Sequence, residues 1–415
     1  MGRRWVPVGF DLLRLRDFRL LWLAHTGSVI GDGFHTVALT WLTFSTLGLG
    51  APGLAALGIV MTLPQLVLGI VTGTLVDRMD RRRVMAVADL FRAIVVAALA
   101  VSVASGGANL PIILAAGLVL VTANLFFNPA RQAVLPQYVL TERLVAANSL
   151  FAISPQVTSL IVPGGAALLF AAIGPVWLLG IDALSFLWSA ALIIRLTPGP
   201  VVQGVARRRP LIAEAADGVK FIATHGPTRL VILVAAGNQL FAAGPWRVMV
   251  PFWVTAVLGG TVVDYAALLT ALSAGLLVGF AGIASIRRML PLVRLIVLGV
   301  FFDGAILLWF AYSPTLFLGM LAFFALGVAN AVLNAANSAR LQITVPADMR
   351  GRVFASYGTI INLTAPISLA VTGALSDRGP VALFTASGLG LMGVGALGFV
   401  ASLRDRADAP ATAPA

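Results

Sequence analysis

Long apolar stretches separated by short polar connections run along almost the whole chain. A helix needs about 20 apolar residues to cross the hydrocarbon core of a bilayer. Windows of that kind recur over residues 19–46, 53–76, 84–105, 111–128, 147–171 and 175–196. They recur again over 229–257, 265–286, 290–311, 314–336, 354–375 and 380–402. The pattern predicts an all-α membrane protein of twelve transmembrane helices in two six-helix halves, residues 1–196 and 229–403. Between the halves, 197–228 reads as a linker. There Leu211, Ala215, Val219 and Ile222 recur at helical spacing, which predicts a short amphipathic helix on the membrane surface. The low-complexity tail 404–415 is expected to be disordered.

The connections sort by charge. Arginines fill the N-terminus (Arg3, Arg4, Arg14, Arg16, Arg19), the second-third connection (Arg78, Arg81, Arg82, Arg83) and the linker (Arg207, Arg208, Arg209). Arg287, Arg288, Arg294, Arg350, Arg352, Arg404 and Arg406 continue the series, whereas the alternate connections 47–52, 106–110 and 172–174 hold no Lys or Arg. Of 28 basic residues only Arg92, Arg247 and Arg378 fall outside the set assigned to one side. The positive-inside rule then places both termini in the cytoplasm. The same asymmetry accounts for a net charge of +12 without a nucleic-acid partner. The first apolar run is long enough to span and holds Asp32 and His35, so it reads as a membrane helix and not as a cleaved signal.

Composition narrows the chemistry further. Hydrophobic residues make up 59% and charged residues 11%, against about 25% charged in soluble domains. The chain has no cysteine, and its three histidines (His25, His35, His225) form no ligand-spaced cluster, so no metal site is expected. Its single lysine, Lys220, follows Val219, which rules out a Walker A loop. No His-rich or Ser-based constellation suggests an enzyme, and no cofactor is expected.

The two halves are diverged copies. Gly69-Ile-Val-Thr-Gly73 before Arg81-Arg82 returns, 206 residues on, as Gly275-Leu-Leu-Val-Gly279 before Arg287-Arg288. Asn128-Pro-Ala-Arg131 returns as Asn337-Ser-Ala-Arg340, Arg19-Leu20 as Arg229-Leu230, and Gly174-Pro175-Val176 as Gly379-Pro380-Val381. Duplicated apolar halves are a common build of secondary transporters, with the substrate site near the midplane.

The stretch Gly73-Thr-Leu-Val-Asp77-Arg78-Met-Asp80-Arg81-Arg82 resembles the signature between helices 2 and 3 of the major facilitator superfamily, with Asp80 where a second glycine is usual. Phe18-Arg19-Leu-Leu-Trp22, Gly31-Asp32-Gly33, Asp182-Ala-Leu-Ser185-Phe186, Gly351-Arg352-Val353-Phe354 and Ser376-Asp377-Arg378-Gly379 are similar to the drug-proton antiporter branch. Pro163-Gly164-Gly165 partly resembles that branch's antiporter signature, with Val162 in place of its leading glycine. The resemblance implies a monomeric transporter in the bacterial inner membrane, exporting a small amphipathic compound in exchange for protons by alternating access. Two other readings stand beside it: a facilitator or importer, of lipids for instance, without proton exchange, and a non-transporting receptor on the same scaffold.

Charged residues inside apolar helices are costly and so are functional candidates. Asp32 with His35 one turn on, Asp182 and Asp303 are candidates for the proton or the substrate. Asp32 suits either a proton carrier or a structural hydrogen bond, and the family-typical setting of Asp182 favours architecture. Asp89 and Arg92, three apart on one helix, are expected to form an intramembrane ion pair. Asn238, Asn330 and Asn334 suit substrate contacts or interhelical bonds. Gly73, Asp77, Arg78, Arg81 and Arg82 are expected to form a conformational latch, carried by the first half alone because Ile283 stands at the position matching Asp77.

Overall fold

Hydrocarbon offers no water to backbone amides, so an apolar chain satisfies them inside helices. The computed structural model describes residues 10–76, 78–198, 211–286, 290–346 and 349–403, and no strand occurs among them. In the first part of the chain lie α1 (Arg16–Trp41), α2 (Gly50–Val76), α3 (Arg81–Ala104), α4 (Leu110–Tyr138), α5 (Leu144–Ile173) and α6 (Pro175–Ile194). The second part holds α7 (Leu211–Thr224), α8 (Gly226–Gly244), α9 (Val250–Leu258), α10 (Val262–Ile286), α11 (Leu292–Ala311), α12 (Leu316–Thr344), α13 (Arg350–Ala374) and α14 (Pro380–Leu403). A π turn, Pro245–Met249, joins α8 to α9.

Among the described residues ten helical segments are long and apolar enough to cross a membrane, and Gly50–Leu66 adds a shorter apolar helix. α1 is not one of the ten; it carries Arg16, Asp17, Arg19, His25, Asp32 and His35. Two predicted spans stop too soon. The windows 111–128 and 314–336 end at polar residues, yet α4 continues to Tyr138 and α12 to Thr344. Hydropathy falls at Asn128, but Asn128 donates to Asn124 one turn back and the helix continues. The extension puts Arg131 and Arg340 on helices, where hydropathy alone places them in connections.

The chain packs as two units, one of Met1–Leu49 with Val60–Ala206 and the other of Gly50–Ile59 with Arg207–Ala415. In the first, α1 packs on α5 and α6, and α3 on α4 and α6. In the second, α8 packs on α13 and α14, and α11 on α12 and α14. These pairings are what a duplicated bundle requires. Outward faces are apolar, as on α3, where Val87, Phe91, Ile94 and Val101 are exposed at helical spacing while Ala88, Asp89, Arg92 and Val96 are buried. Lipid is the solvent that fits such a surface.

The repeated Gly-Pro-Val turns share their backbone as well as their letters. Gly174 and Gly379 take φ of +80° and +81°, a region that favours glycine. Each precedes a proline that opens the next helix, Pro175 of α6 and Pro380 of α14, where the missing N–H costs nothing. Asp80 has a local reason to stand where a glycine was expected. It caps α3, its Oδ1 accepting from the backbone N–H groups of Arg82 (3.0 Å) and Arg83 (3.3 Å). Before α1, Asp11 accepts a hydrogen bond from Arg143, which holds the Asp11 carboxyl below its usual range.

The amphipathic α7 packs on α13 within the second unit. Ile222 is buried, Asp217 pairs with Arg352 at 3.2 Å, and a Cβ at Gly218 would lie 2.6 Å from the Arg352 carbonyl. The tail expected to be disordered, 404–415, lies outside the described residues.

Candidate functional site

In the first unit the charged residues of α1, α3 and α6 converge. The closeness of α1 and α6 depends on Gly31: a Cβ there would run into the Ser185 hydroxyl and lie 2.7 Å from Oδ1 of Asp182. This approach brings His35 to Asp182, with Nδ1 3.0 Å from Oδ2, an ion-pair distance without hydrogen-bond alignment. His35 thus faces Asp182, while its expected neighbour Asp32 turns to α3. Arg92 donates to Asp32 at 2.8 Å and to Asp89 at 3.3 Å, and its guanidinium lies 3.8 Å from the ring centroid of Phe186. The expected Asp89–Arg92 pair is therefore part of a three-residue bridge. Asp89 and Asp182 side chains are 0% and 1% exposed, whereas that of Asp32 is 47% exposed. Only Asp32 of the three acids opens to a cavity of about 400 Å³, which Arg92 also lines.

Asn124 and Asn128, intramembrane amides that the sequence marks for substrate contacts or interhelical bonds, also line that cavity. Arg131, His25, Gln132 and Asn148, which sequence patterning does not single out, line it with them, and Phe151 stands between. The ring of Phe151 takes the Arg131 guanidinium at 4.6 Å and the His25 ring edge-on at 5.2 Å. The repeated Asn-x-Ala-Arg motif is the available signal for Arg131. Hydropathy hides it by ending the span three residues earlier.

The second unit holds a smaller cavity of about 250 Å³. Asn238 and Gln239 of α8, Trp246 and Arg247 of the π turn, Asp303 of α11 and Asn330 of α12 line it, with Leu272 and Leu276 of α10 and Leu326 of α12. Asp303 is 3% exposed. Its Oδ2 accepts from Asn238 at 3.4 Å and its Oδ1 has no partner. Asn334 lies one turn beyond Asn330 and spends its amide on the Asn330 carbonyl, 2.9 Å away. Arg247, whose intramembrane place in the sequence already sets it apart from the other arginines, is the residue missed here.

The expected latch is described only in part. Asp77 lies outside the described residues, and nothing is described around Gly73 or the Ile283 side chain. Arg78 is exposed. Arg82 donates to the carbonyls of Ile193 (3.2 Å) and Ile194 at the end of α6, where a helix presents its negative pole. Arg81 donates to the Ala133 carbonyl of α4 at 3.4 Å. Both arginines fasten helices within the first unit.

Among the described residues no group of three or more His, Asp or Glu side chains is placed to hold a metal ion. The polar cavities in apolar bundles are the form of a small-molecule binding site.

Residues 8–414 match the profile of a family described as transmembrane secretion effector. The chain is 27% identical over 389 residues to the multidrug efflux pump Tap of Mycolicibacterium fortuitum, spanning 90% of this chain and 93% of that protein. It is 23% identical over 372 residues to macrolide efflux protein A of Streptococcus pyogenes, spanning 87% and 89%. Among solved structures it is similar to the nucleoside transporter NupG (TM-score 0.70, 13% identity, 94% of this chain and 99% of that one). A bacterial homologue of the iron transporter ferroportin, in an inward-facing state, is similar too (TM-score 0.71, 16% identity, 93% and 98%). With the family match running over residues 8–414, the chain is a multi-pass membrane transporter that belongs to the transmembrane secretion effector family of the major facilitator superfamily.

Proposed function

We propose that this transporter exports a small amphipathic compound across the bacterial inner membrane in exchange for protons, working as a monomer. The observation that carries the reading is the arrangement around Asp32: three carboxylates share one arginine and one histidine, and only Asp32 opens to the cavity. Buried charges need counter-charges, and this cluster is short of positive charge by at least one. A proton on Asp32 supplies it and loosens the hold on Arg92; its release restores the bridge. A group that alternates between proton and arginine in this way couples proton movement to a rearrangement of α1 against α3. The relatives named for multidrug and macrolide efflux support the direction and the class of cargo. The test is uptake of a panel of labelled amphipathic compounds into inverted membrane vesicles, with and without an acid interior. Uptake that needs the gradient supports antiport, uptake down its own gradient alone supports a facilitator, and no uptake of any compound removes transport of this class.

Both termini face the cytoplasm in this reading. Single cysteines placed at Gly107 and at Arg208, in a chain with no other cysteine, are expected to label from opposite sides of the membrane. Labelling of both from one side defeats the orientation.

The latch is part of the same proposal. Asp77 holds the cytoplasm-closed state, so Asp77→Asn shifts the balance toward the cytoplasm-open state, whereas Ile283→Asn in the matching place changes little. Spin-label distances across the arginine-rich mouth report the shift; equal responses to both substitutions contradict it.

A further inference from the structure

We infer that Arg131 anchors an acidic group (a carboxylate, sulfonate or phosphate) of an amphipathic ligand in the first unit's cavity. This rests on the proposed export only in taking that ligand to be cargo.

Arg131 lies on α4, seven residues before the end of a helix long and apolar enough to cross a membrane, Leu110–Tyr138. Its Nε and Nη1 are buried without a hydrogen-bond partner, and no carboxylate pairs with it among the described residues. The cavity's one acid is engaged elsewhere, since Asp32 accepts from Arg92 at 2.8 Å. A guanidinium taken from water without a partner is expensive, so an unanswered one beside a cavity of about 400 Å³ marks a place that something else completes.

The surroundings say what completes it. Phe151 stacks on the guanidinium at 4.6 Å and so occupies its face. The in-plane N–H groups stay free, in the fork that matches the two oxygens of a carboxylate or phosphate. Asn124, Asn128 and Asn148 stand close by, yet none of their side-chain oxygens accepts from Nε or Nη1 of Arg131, and the amide N–H groups of Asn128 and Asn148 donate to Asn124 and to the Leu144 carbonyl. His25 is held edge-on against the same ring and presents no negative charge. A basic ligand finds no free anion on this side of the cavity, whereas an anion finds an unpaired arginine.

The experiment uses the purified full-length protein in lipid nanodiscs and the probe pair 1-pyrenebutyrate and its methyl ester, alike in shape and apolar area and different in charge. Affinity is read by ligand-induced thermal stabilisation at constant pH without a proton gradient. The wild type is expected to bind the acid about tenfold more tightly than the ester, a gap of about 1.4 kcal/mol. Arg131→Gln is expected to lose that preference through weaker acid binding with unchanged ester binding, and Arg131→Lys to retain part of it. A wild type without a preference for the acid, including one that binds neither probe, overturns the proposal. So does an Arg131→Gln protein that keeps the preference. Should Arg131→Gln fail to fold, the wild-type preference and the Arg131→Lys titration decide. Acid binding that persists while gradient-driven uptake fails removes proton coupling and leaves the anion site standing; the reverse pattern removes the anion site alone.

Discussion

Asp32→Asn is expected to abolish uphill, gradient-driven transport while leaving exchange of substrate between the two sides. The substitution keeps the size of the side chain and an oxygen that can accept from Arg92, so the cavity retains its shape. It fixes the group in a neutral state and takes away the choice between proton and arginine. Arg92 keeps its second arm on Asp89 at 3.3 Å, so the bridge is weakened without being emptied, and the exposure of Asp32 keeps the cost to stability small. Gradient-driven uptake into inverted vesicles should fall by at least about tenfold, which corresponds to ~1.4 kcal/mol, with counterflow preserved. Asp182→Asn is the architectural control: it removes the partner of His35 beside the Gly31 contact and should lower protein yield and transport together. His35→Ala should be milder than either. Asp303→Asn tests the other unit. Intact gradient-driven uptake in Asp32→Asn refutes the assignment and passes the role to Asp303, the carboxylate that lines the second unit's cavity.

The second large effect is expected at Gly275. In the second unit α10 lies along α12 so closely that a Cβ at Gly275 would run into the Phe324 carbonyl and lie 3.0 Å from the Gly327 Cα. Gly279 answers in kind, where a Cβ would lie 2.6 Å from that of Ala331. Small residues permit such backbone contact in membranes, where no hydrophobic force draws helices together. Gly275→Leu overfills the seam and should cost about 1–3 kcal/mol, seen as a lower melting temperature and less protein in the membrane. At Gly69, its counterpart in the first copy, an added Cβ would meet nothing within 4 Å among the described residues. Gly69→Leu should therefore stay within about 0.5 kcal/mol of wild type. Similar losses at both positions would contradict the asymmetry.

That pair shows how far letters alone carry. The sequence identifies Gly69 and Gly275 as one position in two copies, because duplication preserves spacing. It does not tell which copy packs, since packing depends on how near the neighbouring helix runs. The helices themselves are legible because lipid admits only helices and closed barrels, and apolar windows of about 20 residues fit helices. Their ends are not: Asn128 and Asn337 lower the hydropathy but do not break a helix, so hydropathy puts Arg131 in a connection. At the site, the Asp89–Arg92 pair is visible as a three-residue spacing on one helix. Asp32 is 60 residues away and joins them only because α1 and α3 both pack on α6. His35 stands one turn from Asp32 as the spacing requires, yet its ring meets Asp182, a contact set by Gly31 and Ser185 on facing helices. Periodicity reports faces; pairing across helices needs the third dimension.

The α10–α12 seam also makes the Asp303 cavity mechanically lopsided. Leu272, Leu276, Leu326 and Asn330 form a wall built on two helices in backbone contact, which yields little to a bulky occupant. Elsewhere in its lining, Trp246 and Arg247 ride on the π turn Pro245–Met249, where the regular helical ladder is interrupted. Bends in a helix are taken up at such interruptions of its hydrogen-bond ladder. Compliance in this cavity is thus concentrated in one part of its lining, and guests of different bulk would be accommodated by strain in the α8–α9 junction while the seam keeps a fixed template.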